Sequence, residues 1–230
     1  MDVVDTGFDI WQSPAHVRPS RHCHRDEPTS LSVLNVMSEA DRTKWNSRYS
    51  AVLPSDAPSS WLMSWMERGD ENTRQSSGRV LDVAGGAGRN ALWLARRGFD
   101  VTLVDISAVA IALAEQRAKE AGVLIETRIM DLEQERLPEG PWDIIVQMHY
   151  LDRALFKQYA ELLAPSGLLF IEHPTRSNLA RHAKPSASYL LEDGELANLC
   201  EEFVIVSYGE GWNESGKHEA RLVARRLGGK

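Results

Sequence analysis

The sequence predicts an α/β fold, with a mostly parallel sheet of seven strands, helices on both faces and an antiparallel pair of strands at the C-terminal end. From Arg79 onward, short apolar runs alternate with longer amphipathic stretches, which is the pattern of βαβ units. Near the C-terminus, two strand-like runs are joined by the polar segment Gly209–Glu219, which leaves no room for a crossover helix. These two runs must therefore pair antiparallel.

Each predicted strand is a short apolar run bounded by turn-forming or polar residues. In chain order, the predicted strands are Arg79–Ala84, Asp100–Asp105, Leu124–Ile129, Trp142–Met148, Gly167–Glu172, Phe203–Tyr208 and Ala220–Arg225. Ser107 is a typical helix N-cap, whereas Gly98 and Gly122 favour helix C-termini. The predicted helices are Asn90–Arg97, the alanine-rich stretch between Ser107 and Gly122, Arg153–Leu163 and Leu191–Glu201.

Length and charge narrow the class of protein. A chain of 230 residues suits one such domain with a short appendage. Its net charge of −7 and its lack of a basic stripe disfavour nucleic-acid binding. No apolar run is long enough for a membrane helix, the first residues lack the features of a secretory signal, and two cysteines cannot build a disulfide framework. We expect a cytoplasmic monomer or simple homodimer.

The N-terminal third is predicted to have two parts. Residues 1–36 show no sustained periodicity and gather three prolines, which predicts a disordered tail, and Met37 is a possible alternative start. The run His22-Cys23-His24 has no second ligand cluster, so we expect no metal site. Residues 37–78 are expected to form a helical lid segment in front of a domain that spans residues 79–230.

A glycine-rich turn follows the first predicted strand. Gly86, Gly88 and Ala91 fit a loose G-x-G-x-x-A pattern, in which backbone N–H groups at a helix start face a ligand. Asp105 lies nineteen residues after Gly86, at the end of the second strand, where a carboxylate accepts hydrogen bonds from ribose hydroxyls. These residues alone fit an NAD(P)-dependent oxidoreductase nearly as well as any other nucleotide-binding protein.

Asp82 separates these possibilities because it lies just before the glycines. A carboxylate there would repel a pyrophosphate and attract a cationic ligand. The segment resembles the first motif of class I S-adenosylmethionine (SAM)-dependent methyltransferases, acid-x-Gly-x-Gly-x-Gly. Asp82, Gly86 and Gly88 match that motif, and Ala84 replaces its first glycine. The resemblance implies a Rossmann-like methyltransferase fold with SAM as the cofactor.

The resemblance continues beyond the first motif. It implies that Asp105 binds the ribose and that Met130-Asp131-Leu132 holds the adenine. On the predicted lid helix, Trp45, Arg48 and Tyr49 either cover the ligand or only pack on the edge of the sheet. The full expected cofactor set is Asp82, Ala84, Gly85, Gly86, Gly88, Asn90, Asp105, Ile106, Met130, Asp131, Leu132 and Gln147, with Trp45, Arg48 and Tyr49.

Within this family, the sequence looks most like the small tellurite-resistance and thiopurine-like methyltransferases. The likeness is carried by Trp45-Asn-Ser-Arg-Tyr, Gly88-Arg-Asn, Leu191-Glu-Asp-Gly-Glu-Leu and His218-Glu-Ala-Arg. It implies in-line methyl transfer to a small molecule, such as a thiol or a selenium or tellurium oxyanion. A non-catalytic SAM-binding subunit is an alternative, because it would keep the same motif.

Candidate catalytic residues lie where the fourth and fifth strands end, the edge at which open α/β sheets bind ligands. They are His149, Tyr150, Arg153 and His173. An acceptor that arrives as an anion needs little acid–base help, whereas a neutral oxygen or nitrogen needs a base such as His149 or His173. Either histidine is equally understandable as a hydrogen-bonded structural residue.

Overall fold

A computed structural model of the chain describes residues 30–68 and 77–227. Its centre is one seven-stranded sheet with the strand order β3-β2-β1-β4-β5-β7-β6. The strands are β1 (Arg79–Val83), β2 (Asp100–Asp105), β3 (Glu126–Ile129), β4 (Trp142–Met148), β5 (Leu163–Pro174), β6 (Phe203–Trp212) and β7 (His218–Arg226). Strands β1 to β5 are parallel, and β7 runs antiparallel to both β5 and β6. The predicted fold class is confirmed.

Helices flank the sheet and precede it. They are α1 (Ser30–Ala51), α2 (Ser60–Arg68), α3 (Arg89–Ala95), α4 (Ala108–Ala121), α5 (Leu155–Leu162) and α6 (Glu195–Leu199). Across the described ranges, no helix combines the length and the apolar character needed to cross a membrane.

The predicted helix Leu191–Glu201 is wrong over its first half, since α6 begins only at Glu195. Leu191 instead forms an isolated bridge with Thr175 and is fully buried. Gly194 has a φ of +81° immediately before α6, so the chain cannot continue as a helix through it. Apolar spacing alone could not separate this short extended segment from a helical turn.

The helix α1 also begins earlier than expected. It starts at Ser30, inside the predicted tail of residues 1–36. Residues 31–37 contain neither glycine nor proline, so no helix-breaking residue interrupts this stretch. Residues 1–29, which hold the rest of that tail and the run His22-Cys23-His24, lie outside the described residues, so those expectations remain predictions.

Both faces of the sheet are buried, because consecutive side chains of a strand point to opposite faces. In β1, Leu81 belongs to an apolar cluster that also contains residues of α5 and α6. Its neighbour Val80 belongs to a second cluster with residues of α2, α3 and α4. Burying one such side chain contributes roughly 1.5–3 kcal/mol. Helix packing on both faces therefore holds the parallel strands in place.

The strand order reverses direction between β1 and β4, which places a topological switch point at their carboxyl ends. In open α/β sheets, the helices on either side of such a point diverge and leave a crevice. The glycine-rich turn lies at this point, between β1 and α3.

Ser107 caps the N-terminus of α4 and also attaches α1 to the core. Its hydroxyl oxygen accepts a hydrogen bond from the N–H of Ala110 at 3.1 Å, as expected of an N-cap. The same hydroxyl donates to Oδ1 of Asn46 on α1 at 2.8 Å. This one buried side chain therefore couples the lid helix to the helix that follows β2.

We predict that Ser107→Ala lowers the free energy of unfolding by about 0.5–2 kcal/mol, the typical value of a helix N-cap. Urea unfolding followed by circular dichroism measures this loss. Ser188→Ala is the matched control, because Ser188 is exposed and hydrogen-bonds only the hydroxyl of Ser186. Equal stabilities of the two variants would contradict the capping role.

Candidate active site

A cavity of about 410 Å³ opens at the carboxyl ends of β1, β2 and β4, beneath α1. Its volume lies in the range of small-molecule and cofactor sites. The lining residues that the sequence predicted are Trp45, Tyr49, Asp82, Ala84, Gly85, Gly86, Asn90, Asp105, Ile106, Asp131, Leu132, His149 and Tyr150. The structure thus brings most of the predicted site residues together around one space.

The glycine-rich turn forms the floor of the cavity. Gly86 and Gly88 have φ angles of +57° and +79°, in the left-handed region that favours glycine. Ala84, in place of the motif's first glycine, is also left-handed with a φ of +53°. A Cβ atom on Gly86 would collide with the hydroxyl of Tyr49, so the lid helix closely approaches the turn. Only a residue without a side chain allows this approach.

Asp105 joins the glycine turn to the start of α4. Its Oδ2 accepts a hydrogen bond from the N–H of Gly86, and its Oδ1 accepts from the N–H of Ser107, both at 2.9 Å. Burial raises the pKa of Asp105 to about 6, although the N–H donors of Ser107 and Gly86 lower it. Each carboxylate oxygen has a further lone pair, so Asp105 can still accept from a ligand hydroxyl.

Asp82 lies one strand away and is 1% exposed. Its Oδ2 accepts a hydrogen bond from the N–H of Ala91 in α3 at 3.2 Å. Burial raises the pKa of Asp82 from 3.8 to about 7, against the opposing charge of Arg89. A cation in the cavity would favour the ionised form of both carboxyl groups, since opposite charges lower a carboxyl pKa.

The lid helix α1 contributes two aromatic side chains to the cavity. Trp45 and Tyr49 line it, with ring centroids 6.2 Å apart. Burial, followed by the charge of Asp105, raises the pKa of Tyr49 above its ordinary range, so its hydroxyl stays protonated. Arg48 lies outside the lining, with its guanidinium 5.5 Å from the centre of the Trp45 ring.

Several predicted site residues lie outside the cavity lining. Gly88 approaches Ala114 of α4, and Met130 is buried in the apolar core. The amide of Gln147 is held by the hydroxyl of Tyr159 and the carbonyl of Tyr150. These three residues contact the core, neighbouring helices or the loop after β4 rather than the cavity.

Two of the four candidate catalytic residues also lie outside the cavity lining. Arg153 forms a bidentate ion pair with Glu195 of α6, with 2.8 Å between Nη2 and Oε2. His173 is buried, and its Nε2 donates to the carbonyl of Tyr189 at 2.8 Å. Burial lowers the pKa of His173 to about 3, so the ring is neutral at physiological pH. In this structure, neither residue reaches the cavity.

His149 and Tyr150 do line the cavity, directly after β4. His149 has a φ of +60°, a conformation that costs a residue with a side chain roughly 1–3 kcal/mol. Its N–H donates to the carbonyl of Glu172 at 2.8 Å, which helps to hold the backbone there. Its Nε2 lies 2.9 Å from Oε1 of Glu219, a buried carboxylate on β7.

The lining also contains residues that sequence reasoning missed. They are Asp41, Pro54, Ser55, Ala87, Arg89, Glu133, Met148 and Lys217. Arg89 lies within the quoted Gly88-Arg-Asn, and Glu133 directly follows Met130-Asp131-Leu132, so a wider reading of those motifs would have found them. Lys217 and Asp41 are distant from the motifs in sequence and reach the cavity only through the hairpin and the lid helix.

The family comparison identifies the central part of the chain. Residues 80–167 match the family model described as a methyltransferase domain. A ubiquinone biosynthesis O-methyltransferase from Caulobacter sp. (strain K31) is 38% identical over 121 residues, which are 49% of this chain and 48% of the relative. A putative methyltransferase from Bacillus subtilis (strain 168) is 24% identical over 160 residues, which are 66% of this chain and 62% of the relative. The match thus spans less than two thirds of each relative's length.

Solved structures confirm the fold. TehB from Haemophilus influenzae superposes with a TM-score of 0.63 at 20% identity, covering 79% of this chain and 67% of that one. A SAM-dependent methyltransferase from Methanosarcina mazei has a TM-score of 0.56 at 19% identity, covering 75% and 100%. The [4+2]-cyclase SpnF has a TM-score of 0.58 at 18% identity, covering 88% and 97%. Because a cyclase shares the fold, the reaction has to be argued from the site.

We predict that replacing Asp82 by asparagine changes how stability depends on pH in the ligand-free protein. The folded-state pKa of Asp82, about 7, lies above its unfolded value of 3.8, so the stability it contributes is full below pH 3.8 and is lost as the pH rises towards 7. The free energy of unfolding of Asp82→Asn should therefore rise relative to that of the wild type, by up to about 1.4 kcal/mol per pH unit between pH 5 and 7.

Urea unfolding of both proteins across that range measures the difference. The neutral carboxamide cannot lose a proton, and the contribution of His173 is common to both proteins and cancels. The exposed Asp100→Asn variant is the control for replacing an aspartate by asparagine. A constant difference for Asp82→Asn would show that this carboxyl group titrates normally.

Proposed function

We propose that this chain transfers the methyl group of SAM to a small molecule, since residues 80–167 match the model of a methyltransferase domain. The observation that carries the proposal is the pair of buried carboxyl groups, Asp82 and Asp105, at the glycine turn beneath an adjoining cavity. SAM carries a sulfonium and an ammonium and has no phosphate, so it suits a site lined by acids.

The residues present fit this cofactor part by part. Asp105 retains lone pairs for the ribose hydroxyls while it holds the glycine turn. Asp131 and Leu132 line another part of the cavity, where a carboxylate can accept from the exocyclic amine of adenine and an apolar side chain can pack on the ring. The glycine turn gives the methionine part a surface of backbone N–H groups without side chains.

The charges of the lining argue against a dinucleotide. Five carboxylates, those of Asp41, Asp82, Asp105, Asp131 and Glu133, line the cavity, against the two permanent cations Arg89 and Lys217. A pyrophosphate would add negative charge to this acidic surface, with little compensation inside a low-dielectric cavity. An NAD(P)-dependent oxidoreductase is therefore the weaker candidate.

In the proposed reaction, the protein mainly positions the reactants. When bound, SAM supplies an activated methyl group together with its own leaving group. The chain aligns the acceptor and excludes water, and such orientation accounts for roughly 7–11 kcal/mol in well-oriented systems. Trp45 and Tyr49 of α1 cover the cavity and suit this task. We accordingly propose that residues 37–78 act as the lid segment of the catalytic domain of residues 79–230.

A small acceptor suits the limited size of the cavity. About 410 Å³ must hold both the cofactor and the reacting part of the acceptor. The matched relatives include enzymes named for O-methylation in ubiquinone biosynthesis, which supports a small molecule rather than a macromolecule as the acceptor. We place the reaction in the cytoplasm, in a monomer or simple homodimer, without nucleic acid as a substrate.

We predict that Asp105→Asn weakens SAM binding about 10- to 100-fold, because hydrogen bonds to a charged group contribute roughly 1.5–3 kcal/mol. Isothermal titration calorimetry with SAM, S-adenosylhomocysteine and NADH measures the effect, and NADH should show no binding to the wild type. Asp143→Asn is the matched control, because Asp143 also accepts from a backbone N–H, that of Arg79, but at the opposite edge of the sheet. Unchanged SAM affinity in folded Asp105→Asn would contradict the proposed site.

A further inference from the structure

His149 is fixed both by its backbone conformation and by contacts with two charged side chains. It lines the cavity with a left-handed backbone, and a set of buried charged side chains lies behind its ring. Such strain clusters at functional sites. The inference drawn here from this arrangement rests on the proposed methyl transfer and concerns the chemical class of the acceptor.

The two neighbours of the imidazole determine where its proton lies. The guanidinium of Arg89, which can only donate, lies 3.5 Å from Nδ1. The carboxylate of Glu219, which accepts, lies 2.9 Å from Nε2. In the neutral ring, Nε2 therefore carries the proton and donates to Glu219, while Nδ1 keeps its lone pair.

Nδ1 carries this lone pair on the side of the ring next to Arg89. Both His149 and Arg89 line the cavity, whereas the side chain of Glu219 is 3% exposed and does not. The contact between Nδ1 and Arg89 is long for a hydrogen bond, so an acceptor hydroxyl can replace it at little cost. A proton acceptor is thus presented to the space where the methyl acceptor would bind.

Behind the ring, two buried carboxylates share one partly buried guanidinium. Arg221 pairs with Glu219 at 3.2 Å and with Glu172 at 2.7 Å. The hydroxyl of Ser59 donates to the other oxygen of Glu172 at 2.8 Å. These contacts fix Glu219 where it faces Nε2 of His149.

Glu219 remains ionised despite its burial. Burial alone raises the pKa of this carboxyl group, but the hydrogen bond with His149 and the charges of Arg221 and Lys217 bring it down to about 2. Glu219 from β7 and Arg89 from α3 contact the imidazole, and the neutral His173 of β5 interacts with it electrostatically.

We propose that His149 is the general base of the transfer and that the acceptor is a protonated oxygen nucleophile, such as a phenol. The acceptor hydroxyl gives its proton to Nδ1 of His149 while its oxygen forms the bond to the methyl carbon, and the sulfur–methyl bond breaks with its electron pair on sulfur. The products are the methyl ether and S-adenosylhomocysteine, and the imidazolium loses its proton to solvent. Thiols and reduced metalloids ionise readily and need no such base.

The test compares the activity of His149→Asn with that of the wild type on two kinds of methyl acceptor. The hydroxyl acceptors, which need a general base, are 4-hydroxybenzoate and catechol. The acceptors that need no general base are 4-mercaptobenzoate and selenite. Asparagine tolerates a left-handed backbone better than most residues, so the variant keeps the local conformation. With a hydroxyl probe, kcat should fall about 100- to 10,000-fold, the usual contribution of a general base. The calorimetric SAM affinity should stay within about threefold. The KM for the probe should rise by no more than about tenfold, because the one ground-state hydrogen bond to Nδ1 contributes roughly 0.5–1.5 kcal/mol.

A second variant tests the role of Glu219 as a positioning residue. In Glu219→Gln, the imidazolium loses its facing anion, so the acid limb of the pH–rate profile with the hydroxyl probe should move to lower pH. A purely structural role would lower kcat or stability without moving that limb. His182→Asn is the control for replacing a partly buried histidine, because His182 hydrogen-bonds only the carbonyl of Gly216, outside the cavity lining, and it should leave the rate unchanged.

The outcomes separate this inference from the proposed function. Transfer to 4-mercaptobenzoate or selenite but to neither hydroxyl probe would overturn the inference and leave methyl transfer intact. Undiminished kcat with a hydroxyl probe in His149→Asn, or an acid limb that Glu219→Gln does not move, would overturn the assignment of the base. Transfer to none of the four probes by a wild-type protein that binds SAM would contradict the proposed function, and the inference with it.

Discussion

Two carboxyl groups buried beside a glycine turn are the constraint around which this site is organised. Desolvating a carboxylate is costly unless N–H donors or a cation compensate it. Asp105 receives two backbone N–H groups, whereas the hydrogen bond that Asp82 receives is the longer one from Ala91. The folded protein therefore retains an acidic crevice whose charge is incompletely balanced, and a cationic ligand completes that balance.

The fold supplies this crevice through strand order rather than through any single residue. Asp82 and Asp105 lie at the carboxyl ends of β1 and β2, and His149 directly follows β4. Because the strand order reverses between β1 and β4, these three ends meet at one edge of the sheet. The antiparallel strand β7 then brings Glu219 and Arg221 alongside β5, behind His149. The sheet thus places Asp82 and Asp105 on the cofactor side of the cavity. On the other side it places His149, which is hydrogen-bonded to Glu219.

The cofactor side was predictable from sequence because its residues are local to the motif. Asp82, Gly85 and Gly86 lie within one strand and turn, and Asp105 ends the next strand at a spacing set by one βαβ unit. Strands, Ser107 and the hairpin were likewise predictable from periodicity and capping. Most errors fell on short segments such as Leu191–Glu201, where Gly194 interrupts what apolar spacing suggested was one helix.

The side of the cavity next to His149 was harder to predict because it depends on where side chains point and on partners distant in sequence. His173 lies near the end of β5 and Arg153 follows β4, but His173 is buried and Arg153 pairs with Glu195. A place near the end of a strand does not by itself determine which partner a side chain meets. Glu219, Lys217 and Asp41 reach the site only through the pairing of β7 with β5 and the docking of α1. No local pattern identifies such residues.

The most direct test of the acidic crevice is the number of protons that SAM releases on binding. Calorimetric titration at pH 6.5 in two buffers of different ionisation enthalpy measures this number. Because a cation lowers the pKa of Asp82 and Asp105 from about 7 and about 6, we expect SAM to release protons, and neutral-sulfur S-adenosylhomocysteine to release fewer. An observed enthalpy for SAM that is the same in both buffers would contradict this account.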